Sequence, residues 1–138
     1  MNNMFENINY IELLASGVAA MVIGYAWYGP VFGKSWMKES GVTAAKIEAG
    51  KKDMPKTYGL MFLSSLLQAF VLSVIIGLSG VADIMSAATV ALWVWLGFVA
   101  TVKFSDVLFE GKSQTLFGIN AGYTLVTLVV MSAIIVSL

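Results

Sequence analysis

Four long apolar runs constrain the fold of this chain more than any other feature of its sequence. They cover about residues 10–29, 57–78, 84–103 and 116–138. Each run has close to the roughly 20 residues that an α-helix needs to cross a bilayer core about 30 Å thick. The runs are continuous rather than alternating, and each is about twice as long as a membrane barrel strand needs. The sequence therefore predicts an all-α integral membrane four-helix bundle, forming a single domain over residues 1–138.

Composition narrows the class of function. The chain is 59% apolar and 12% charged, carries no net charge, and contains no histidine, cysteine or arginine. It therefore lacks the commonest general base, the thiol nucleophile and most ligand sets for zinc, haem and iron–sulfur groups. A chain without excess positive charge also argues against nucleic-acid binding. We expect a non-enzymatic protein whose partner is the lipid bilayer, with no cofactor and no metal site.

The lysines of the chain are confined to the connections after the first and third spans. The first connection, about residues 30–56, has Lys34, Lys38, Lys46, Lys51, Lys52 and Lys56, and the second has Lys103 and Lys112. Because positively charged loops stay in the cytoplasm, we expect both termini to lie outside. The predicted localisation is the cell membrane, as a multi-pass protein of the bacterial inner membrane.

The first connection has helical signals of its own. Phe32 and Trp36 share a helical face beside lysines, which suits a helix lying at the headgroup level. A second short helix is predicted over Thr43–Ala49, ended by Gly50, with Pro55 starting the next span. A solvated charged loop anchored by one tryptophan explains the same residues equally well.

Spans two and four are similar to each other. They align without gaps at an offset of 59 residues, with 6 of 19 aligned positions identical, including Gly59 with Gly118 and Ser73 with Ser132. We interpret this as two helical hairpins, spans one and two and spans three and four, repeated in the same orientation. Chance is the alternative, because apolar helices match easily by composition.

Small residues at four-residue spacing predict close helix packing in three of the spans. They are Ser16, Ala20 and Gly24 in span one, Ser65, Ala69, Ser73 and Gly77 in span two, and Gly118 and Gly122 in span four. Span three instead has Trp93, Trp95 and Phe98, which we expect to face lipid or another subunit. Because four helices enclose little volume, we also expect a homo-oligomer.

Polar residues in or beside the spans are the candidate binding residues, because a charge at the membrane centre costs roughly 2.5–3.5 kcal/mol. They are Lys103, Asp106 and Glu110 after span three, Asn120 and Tyr123 in span four, and Gln68 deep in span two. The first three are spaced to lie along one helical face, and Asn120 and Tyr123 share another. Together they predict a polar site at the cytoplasmic mouth that binds a small solute or an ion.

Two interpretations of this site are open. In the first, the site belongs to a small-solute or ion binding or transport protein. In the second, the charged residues form a solvated helix end, Asn120 bonds between helices, and the protein is structural, assembling through its small-residue faces. Asp106 and Glu110 alone provide too few oxygens for a hard-cation site, which needs about six or more.

The end of span one is unusually dense in aromatic residues, glycine and proline. The residues concerned are Trp27, Tyr28, Gly29, Pro30, Phe32 and Trp36. With the stretches 95–98, 108–112 and 116–123, this segment resembles the domain-of-unknown-function 1761 family of small four-span membrane proteins. The resemblance covers nearly the whole chain and implies the architecture, with no activity, substrate or cofactor. Lys103 and Asp106 depart from the uncharged stretch that the family implies there.

Overall fold

The computed structural model describes residues 8–138, and nearly all of them are helical. The helices are α1 (Tyr10–Ala26), α2 (Gly33–Ser40), α3 (Ala44–Ala49), α4 (Met54–Ser79), α5 (Ile84–Val94), α6 (Thr101–Glu110) and α7 (Gln114–Ser137). A π-helical turn, Trp27–Val31, extends α1, and a second one, Trp95–Ala100, joins α5 to α6. A 3-10 turn over Lys51–Asp53 leads into α4.

Four continuous helical segments are long and apolar enough to cross a membrane, which confirms the predicted all-α, four-span architecture. They are Tyr10–Val31, Lys51–Ser79, Ile84–Glu110 and Gln114–Ser137. The second segment begins earlier and the third ends later than hydropathy predicted. The reason is that charged side chains reach the interface from helix ends, so hydropathy marks the apolar core rather than the end of the helix. The end of the spans where the lysines lie is called the lysine side below.

The first connection folds into helices, as its local signals predicted. Thr43 caps α3 by accepting a hydrogen bond from the Lys46 backbone N–H at 3.2 Å, and Gly50 follows the last residue of the helix. Pro55 lies in the first turn of α4, where its missing N–H leaves no helical bond unmade. Because α2 contacts α7, this connection packs against the bundle.

The last span, α7, is the helix around which the others are arranged. It contacts α1, α4, α5, α6 and α2. Each hairpin is also closed, because α1 packs against α4 and α5 packs against α7. The buried residues of α7 include Leu116, Ile119, Ala121, Thr127, Leu128, Met131, Ser132 and Ile135. The core of the bundle therefore runs along most of the length of this helix.

Small residues line the interfaces between the spans, in partial agreement with the spacing argument. Ala20 and Ala69 are 1% and 0% exposed, and a Cβ atom at Gly17 would lie 2.9 Å from side-chain atoms of α4. Gly77 and Gly118 are exposed, with open space around them, and the prediction was wrong for both. Residues spaced four apart rotate by about 40° per step around a helix, so a long stripe turns out of the interface.

Span three also has a small-residue face, which sequence analysis did not identify. Ala87 and Ala91 are both 0% exposed, in the helix that packs on α7. Trp93 and Phe98 face outward as predicted, at 67% and 76% exposure, but Trp95 is half-buried. Side chains two positions apart on a helix point about 200° apart, so Trp93 and Trp95 cannot share a face. The prediction that all three aromatic residues face outward was therefore wrong for Trp95.

The alignment of span two with span four places three of the four buried residues of α4 on buried residues of α7. At the offset of 59 residues, Ala69, Leu72 and Ile76 of α4 align with Leu128, Met131 and Ile135 of α7, and all six are buried. The agreement is partial, because Thr127 is buried whereas the aligned Gln68 is exposed. The three shared buried positions are those expected if the chain consists of two repeated hairpins.

The two hairpin turns end their helices with glycines in the left-handed region. Gly80 follows α4 with φ of 76°, and Gly111 follows α6 with φ of 69°, values that other residues rarely adopt. After the first turn, Asp83 caps α5 by accepting a hydrogen bond from the Ser86 backbone N–H at 2.9 Å. This bond lowers the pKa of the Asp83 carboxyl from its ordinary value.

Candidate functional site

The aromatic segment at the end of span one is bonded to the beginning of α7. The Trp27 indole N–H donates to the Ile119 carbonyl oxygen at 2.8 Å. The neighbouring Tyr28 hydroxyl donates to Asn120 Oδ1 at 2.7 Å. Two consecutive side chains of one span therefore bond two consecutive residues of another, which fixes how these spans meet.

The remaining residues of the segment hold these two donors in place. The rings of Trp27 and Phe32 pack with centroids 4.8 Å apart, and Trp36 packs edge-on against Tyr28 at 5.8 Å. A Cβ atom at Gly33 would lie 2.8 Å from the Tyr28 carbonyl oxygen, so a glycine is required for α2 to begin there. The segment is thus rich in aromatic residues because two of them bond to α7 and two others pack on their rings.

Gly29 and Pro30 have a different role from their aromatic neighbours. Both are exposed, and both lie within the π-helical turn Trp27–Val31. Because proline has no N–H, it cannot make the regular helical hydrogen bond, and a widened turn at this point is a common result. A residue before proline is also disfavoured in helical conformation by its Cβ atom, which glycine lacks.

The second π-helical turn repeats this arrangement. It begins at Trp95, whose indole N–H donates to the Ala121 carbonyl oxygen at 2.8 Å. The first π-helical turn begins at Trp27, which donates two residues away, to Ile119. A carbonyl oxygen has two lone pairs, so each can accept an indole bond in addition to its helical one. Both odd-numbered spans are therefore attached to α7 by a tryptophan at a π-helical turn.

A fourth bond runs in the opposite direction, from α7 to span one. The Tyr123 hydroxyl donates to the Ala20 carbonyl oxygen at 3.0 Å. It passes Gly24, where a Cβ atom would lie 3.2 Å from this hydroxyl oxygen. In the same interface, a Cβ atom at Gly122 would lie 3.1 Å from Trp27 Cζ2. The two glycines predicted to pack helices thus make room for particular aromatic side chains.

A groove of about 710 Å³ opens beside these bonds, and we call it the tyrosine groove. It lies between the lysine-side halves of α1 and α4, with Tyr123 contributed by α7. It is lined by Ala20, Met21, Gly24, Tyr25, Tyr28, Gly29, Tyr58, Met61 and Tyr123. The lining contains four of the five tyrosines of the chain, and none of these lining residues carries a formal charge.

The tyrosines of the groove fall into two pairs. Tyr28 and Tyr123 are held by their hydrogen bonds, and their rings meet at 62° with centroids 5.4 Å apart, forming an aromatic corner. Tyr25 and Tyr58 are 80% and 55% exposed. The groove thus combines one fixed aromatic corner with two outer rings.

Three of the predicted binding residues meet in a second, much smaller cavity, which we call the polar mouth. Lys103, Asp106 and Asn120 line a space of about 10 Å³ at the lysine side of the bundle. That volume holds about one water molecule. No ion pair within 4.0 Å joins Lys103 to Asp106 among the described residues. Asn120 therefore lines the same small space as two of the three charged residues at the end of span three, and Glu110 does not.

The other predicted site residues lie elsewhere. Glu110, the last residue of α6, is exposed and pairs with Lys112 at 3.4 Å. Gln68 is exposed on α4, because the neighbouring Ala69 is fully buried and adjacent side chains point about 100° apart. Tyr123 lies in the tyrosine groove and is not among the residues that line the polar mouth. The predicted set is thus divided between two cavities and the surface.

Several functional candidates escaped sequence analysis. Trp95 was assigned to the outer surface, and Tyr25 and Tyr58 were not selected. The usable signal for the groove was the clustering of four tyrosines near the lysine-side ends of three spans. Glu12, which is 9% exposed in α1, was also passed over. Within residues 8–138 no group of three or more acidic side chains lies together as a metal site would require.

The bond between Tyr28 and Asn120 connects the two cavities. Tyr28 lines the tyrosine groove, Asn120 lines the polar mouth, and their side chains meet at 2.7 Å. The pair therefore forms part of the wall between a groove of ligand size and a space of water size.

Comparison with known proteins gives one match. Searches of curated proteins and of solved structures each found no match for this chain. The family model described as a protein of unknown function, DUF1761, matches residues 11–136, which include the bonded residues of spans one, three and four. The match confirms the resemblance seen in the sequence, and the chain belongs to the DUF1761 family of proteins of unknown function.

Proposed function

We propose that this multi-pass membrane protein is a non-enzymatic binding protein that holds a small organic molecule in the tyrosine groove. The observation that carries the proposal is a groove of about 710 Å³ with an aromatic corner fixed by two hydrogen bonds. Small-molecule sites have volumes of roughly 300–1,000 Å³ and are lined mainly by apolar and aromatic side chains with a few polar groups. The tyrosine groove has that size and that lining.

The polar mouth is too small to be the main site. A space of about 10 Å³ excludes any organic solute, although its charged residues were the first candidates from the sequence. We propose that Lys103 and Asp106 keep the Asn120 end of the wall hydrated. Asn120 then contributes by holding Tyr28 in the position that shapes the groove.

The geometry does not favour passage of a solute through the bundle. Asn120 and Tyr123 are bonded to Tyr28 and Ala20, and Gln68 faces outward. The buried residues between the spans are mainly apolar, such as Met131 and Leu128, and the few polar ones include Ser16 and Thr127. A binding protein with a groove on its side therefore accounts for these contacts better than a pore.

Binding can be tested by thermal unfolding of the protein purified in a maltoside detergent, followed by its intrinsic fluorescence. Three probes cover the chemical classes: tetraethylammonium as a cation, cyclohexanol as a neutral molecule and benzoate as an anion. We expect at least one of them to raise the melting temperature in a saturable manner. A lack of stabilisation by all three would contradict the proposal.

A pair of matched variants tests whether the ligand binds in the tyrosine groove. Tyr25→Leu combined with Tyr58→Leu removes the two outer rings, and neither tyrosine makes a side-chain hydrogen bond within the described residues. Tyr10→Leu removes the fifth tyrosine, which is 76% exposed at the other end of α1. We expect stabilisation to disappear in the double variant and to persist in Tyr10→Leu. Stabilisation that persists in both would place the ligand outside the groove.

We also propose that the lysine side faces the cytoplasm of a bacterial cell, with both termini outside the inner membrane. The support is the absence of lysine from the other side of the spans. The chain has no cysteine, so single substitutions give an unambiguous test. In intact cells, a membrane-impermeant maleimide should label Ser79→Cys and leave Ser40→Cys unlabelled. The reverse pattern would overturn the orientation.

A further inference from the structure

The chemistry of the tyrosine groove points to one class of ligand. We propose that it binds an organic cation through a quaternary ammonium group, the group carried by choline and by phosphatidylcholine headgroups. This inference rests on the proposed function and adds to it the charge of the ligand. It is argued from what the groove offers and from what its lining lacks.

The groove offers aromatic faces. Tyr28 and Tyr123 meet at 62°, so a ligand in the corner contacts two rings that are not coplanar. Tyr25 and Tyr58 line the same groove. A cation over an aromatic face is attracted by the negative potential of the ring, and several rings around one site are the usual means of recognising a quaternary ammonium group.

The hydrogen bonds of the fixed corner also favour a positively charged ligand. The hydroxyl hydrogens of Tyr28 and Tyr123 are directed away from a ligand, to Asn120 Oδ1 and to the Ala20 carbonyl oxygen. Having donated its hydrogen, each hydroxyl can interact further only through its oxygen, which attracts positive charge. Met21 and Met61 add polarisable thioether sulfurs that likewise donate no hydrogen bond.

The groove lacks what other ligands need. No lysine lines it, so an anion finds no countercharge. Among residues 8–138 no carboxylate lines it either, so a primary amine or a metal ion finds no strong acceptor there to replace its hydration. A quaternary ammonium group has no N–H to satisfy and sheds its weakly held water easily. It is therefore the cationic group that fits a groove of aromatic rings and hydroxyl oxygens.

The decisive comparison is between choline and its uncharged carbon isostere, 3,3-dimethyl-1-butanol, measured by calorimetric titration of the detergent-solubilised protein. The two molecules have nearly the same shape, so a difference in affinity reports the charge. We expect choline to bind at least about threefold more tightly. If the isostere binds as well or better, the groove is a binding site and the ammonium inference fails. If neither binds, and the three-probe thermal test also fails, the proposed function fails too.

Two double variants test whether the outer aromatic rings of the groove contribute to choline affinity. Tyr25→Phe with Tyr58→Phe keeps both aromatic faces, and we expect choline affinity to stay within about twofold of the wild type. The matching double leucine variant keeps apolar bulk without the faces, and we expect a loss of about tenfold or more. Equal affinities of the two double variants would contradict a role for the rings.

Measurements in bilayers distinguish the two possible sources of the ammonium group, a lipid headgroup and a free solute. Choline affinity is compared in nanodiscs of phosphatidylethanolamine and in nanodiscs where phosphatidylcholine replaces part of it, both lipids being zwitterionic. A loss of apparent affinity with phosphatidylcholine identifies the lipid headgroup as an occupant. An unchanged affinity identifies a free solute. Both outcomes support the ammonium class, whereas absence of choline binding in the nanodiscs of phosphatidylethanolamine alone overturns it.

Discussion

The Tyr28 hydroxyl donates to Asn120 Oδ1 at 2.7 Å, although the two residues are 92 positions apart in the chain. The bond joins the first span to the last and lies between the tyrosine groove and the polar mouth. Trp36 packs on the ring of Tyr28 from α2, so three parts of the chain meet at one side chain.

Energetic coupling between Tyr28 and Asn120 is expected from this bond. In a double-mutant cycle of Tyr28→Phe and Asn120→Ala, we expect a coupling of about 0.6–1.7 kcal/mol in the free energy of unfolding, as for bonds between membrane helices. Reversible unfolding in mixed detergent micelles measures it. Tyr25→Phe is the control for loss of a phenolic hydroxyl, and a cycle of Tyr25→Phe with Asn120→Ala should show no coupling.

Trp27 and Trp95 are expected to contribute more to stability than Trp93. Replacement of Trp27 or Trp95 by Phe removes an indole donor from a bond of 2.8 Å and should cost about 1 kcal/mol in each case. Trp93→Phe removes an exposed indole and should change stability by less than about 0.5 kcal/mol. The same unfolding assay measures the loss in the free energy of unfolding for each variant. An equal loss at all three positions would refute the assigned bonds.

Gly122 and Gly118 are expected to respond differently to alanine, although both lie in α7. Alanine at Gly118 meets open space and should be neutral or stabilising by up to about 1 kcal/mol through helix propensity. Alanine at Gly122 places Cβ 3.1 Å from Trp27 Cζ2, and repacking should cost about 1–3 kcal/mol. Melting temperatures of the two variants, measured side by side, should therefore move apart. Equal shifts would show that Gly122 is not a close contact.

The capping bond of Asp83 is expected to depend on pH. The Ser86 N–H lowers the pKa of this carboxyl, so the cap stabilises the start of α5 fully above the unfolded pKa of about 3.9. Its contribution is lost as the pH falls through the lower, folded pKa. The Ser86 amide resonance should titrate in that range, and Asp83→Asn should abolish the titration while keeping the cap.

A matched control for this titration is present in the same chain. Ser113 caps α7 by accepting a hydrogen bond from the Leu116 backbone N–H at 2.9 Å, and serine does not titrate in this range. Because Leu116 and Asp106 line the same small cavity, the control is measured with Asp106→Asn in place, and the Leu116 amide should then be insensitive over the pH interval in which Ser86 responds. A parallel response at both amides would indicate global unfolding instead of loss of one cap.

The parts of the fold that sequence reasoning predicted are those set by neighbouring residues. Hydropathy over about 20 residues fixes the spans, and the capping signals at Thr43 and Gly50 fix a short helix. The tyrosine groove arises where α1 and α4 separate beside Tyr123, which depends on how three distant segments meet. Its lining could not be read from any one of them.

The misplaced site residues have a related cause. Spacing places Asp106 and Glu110 on one helical face, but α6 ends at Glu110, which is exposed and pairs with Lys112. Hydropathy places Gln68 within the second span, whereas the direction of its side chain depends on which face of α4 meets α1 and α7. The sequence of a span gives the position of a residue along the helix, whereas packing in the bundle determines which way its side chain faces.

The central position of α7 has a consequence for biosynthesis. A chain made from its N-terminus produces the other three spans first, and they enter the membrane before their common packing partner exists. Until α7 follows, Trp27, Tyr28 and Trp95 have no acceptors for their bonds. The bonds that attach spans one and three to α7 can therefore form only after residues 114–137 have been made.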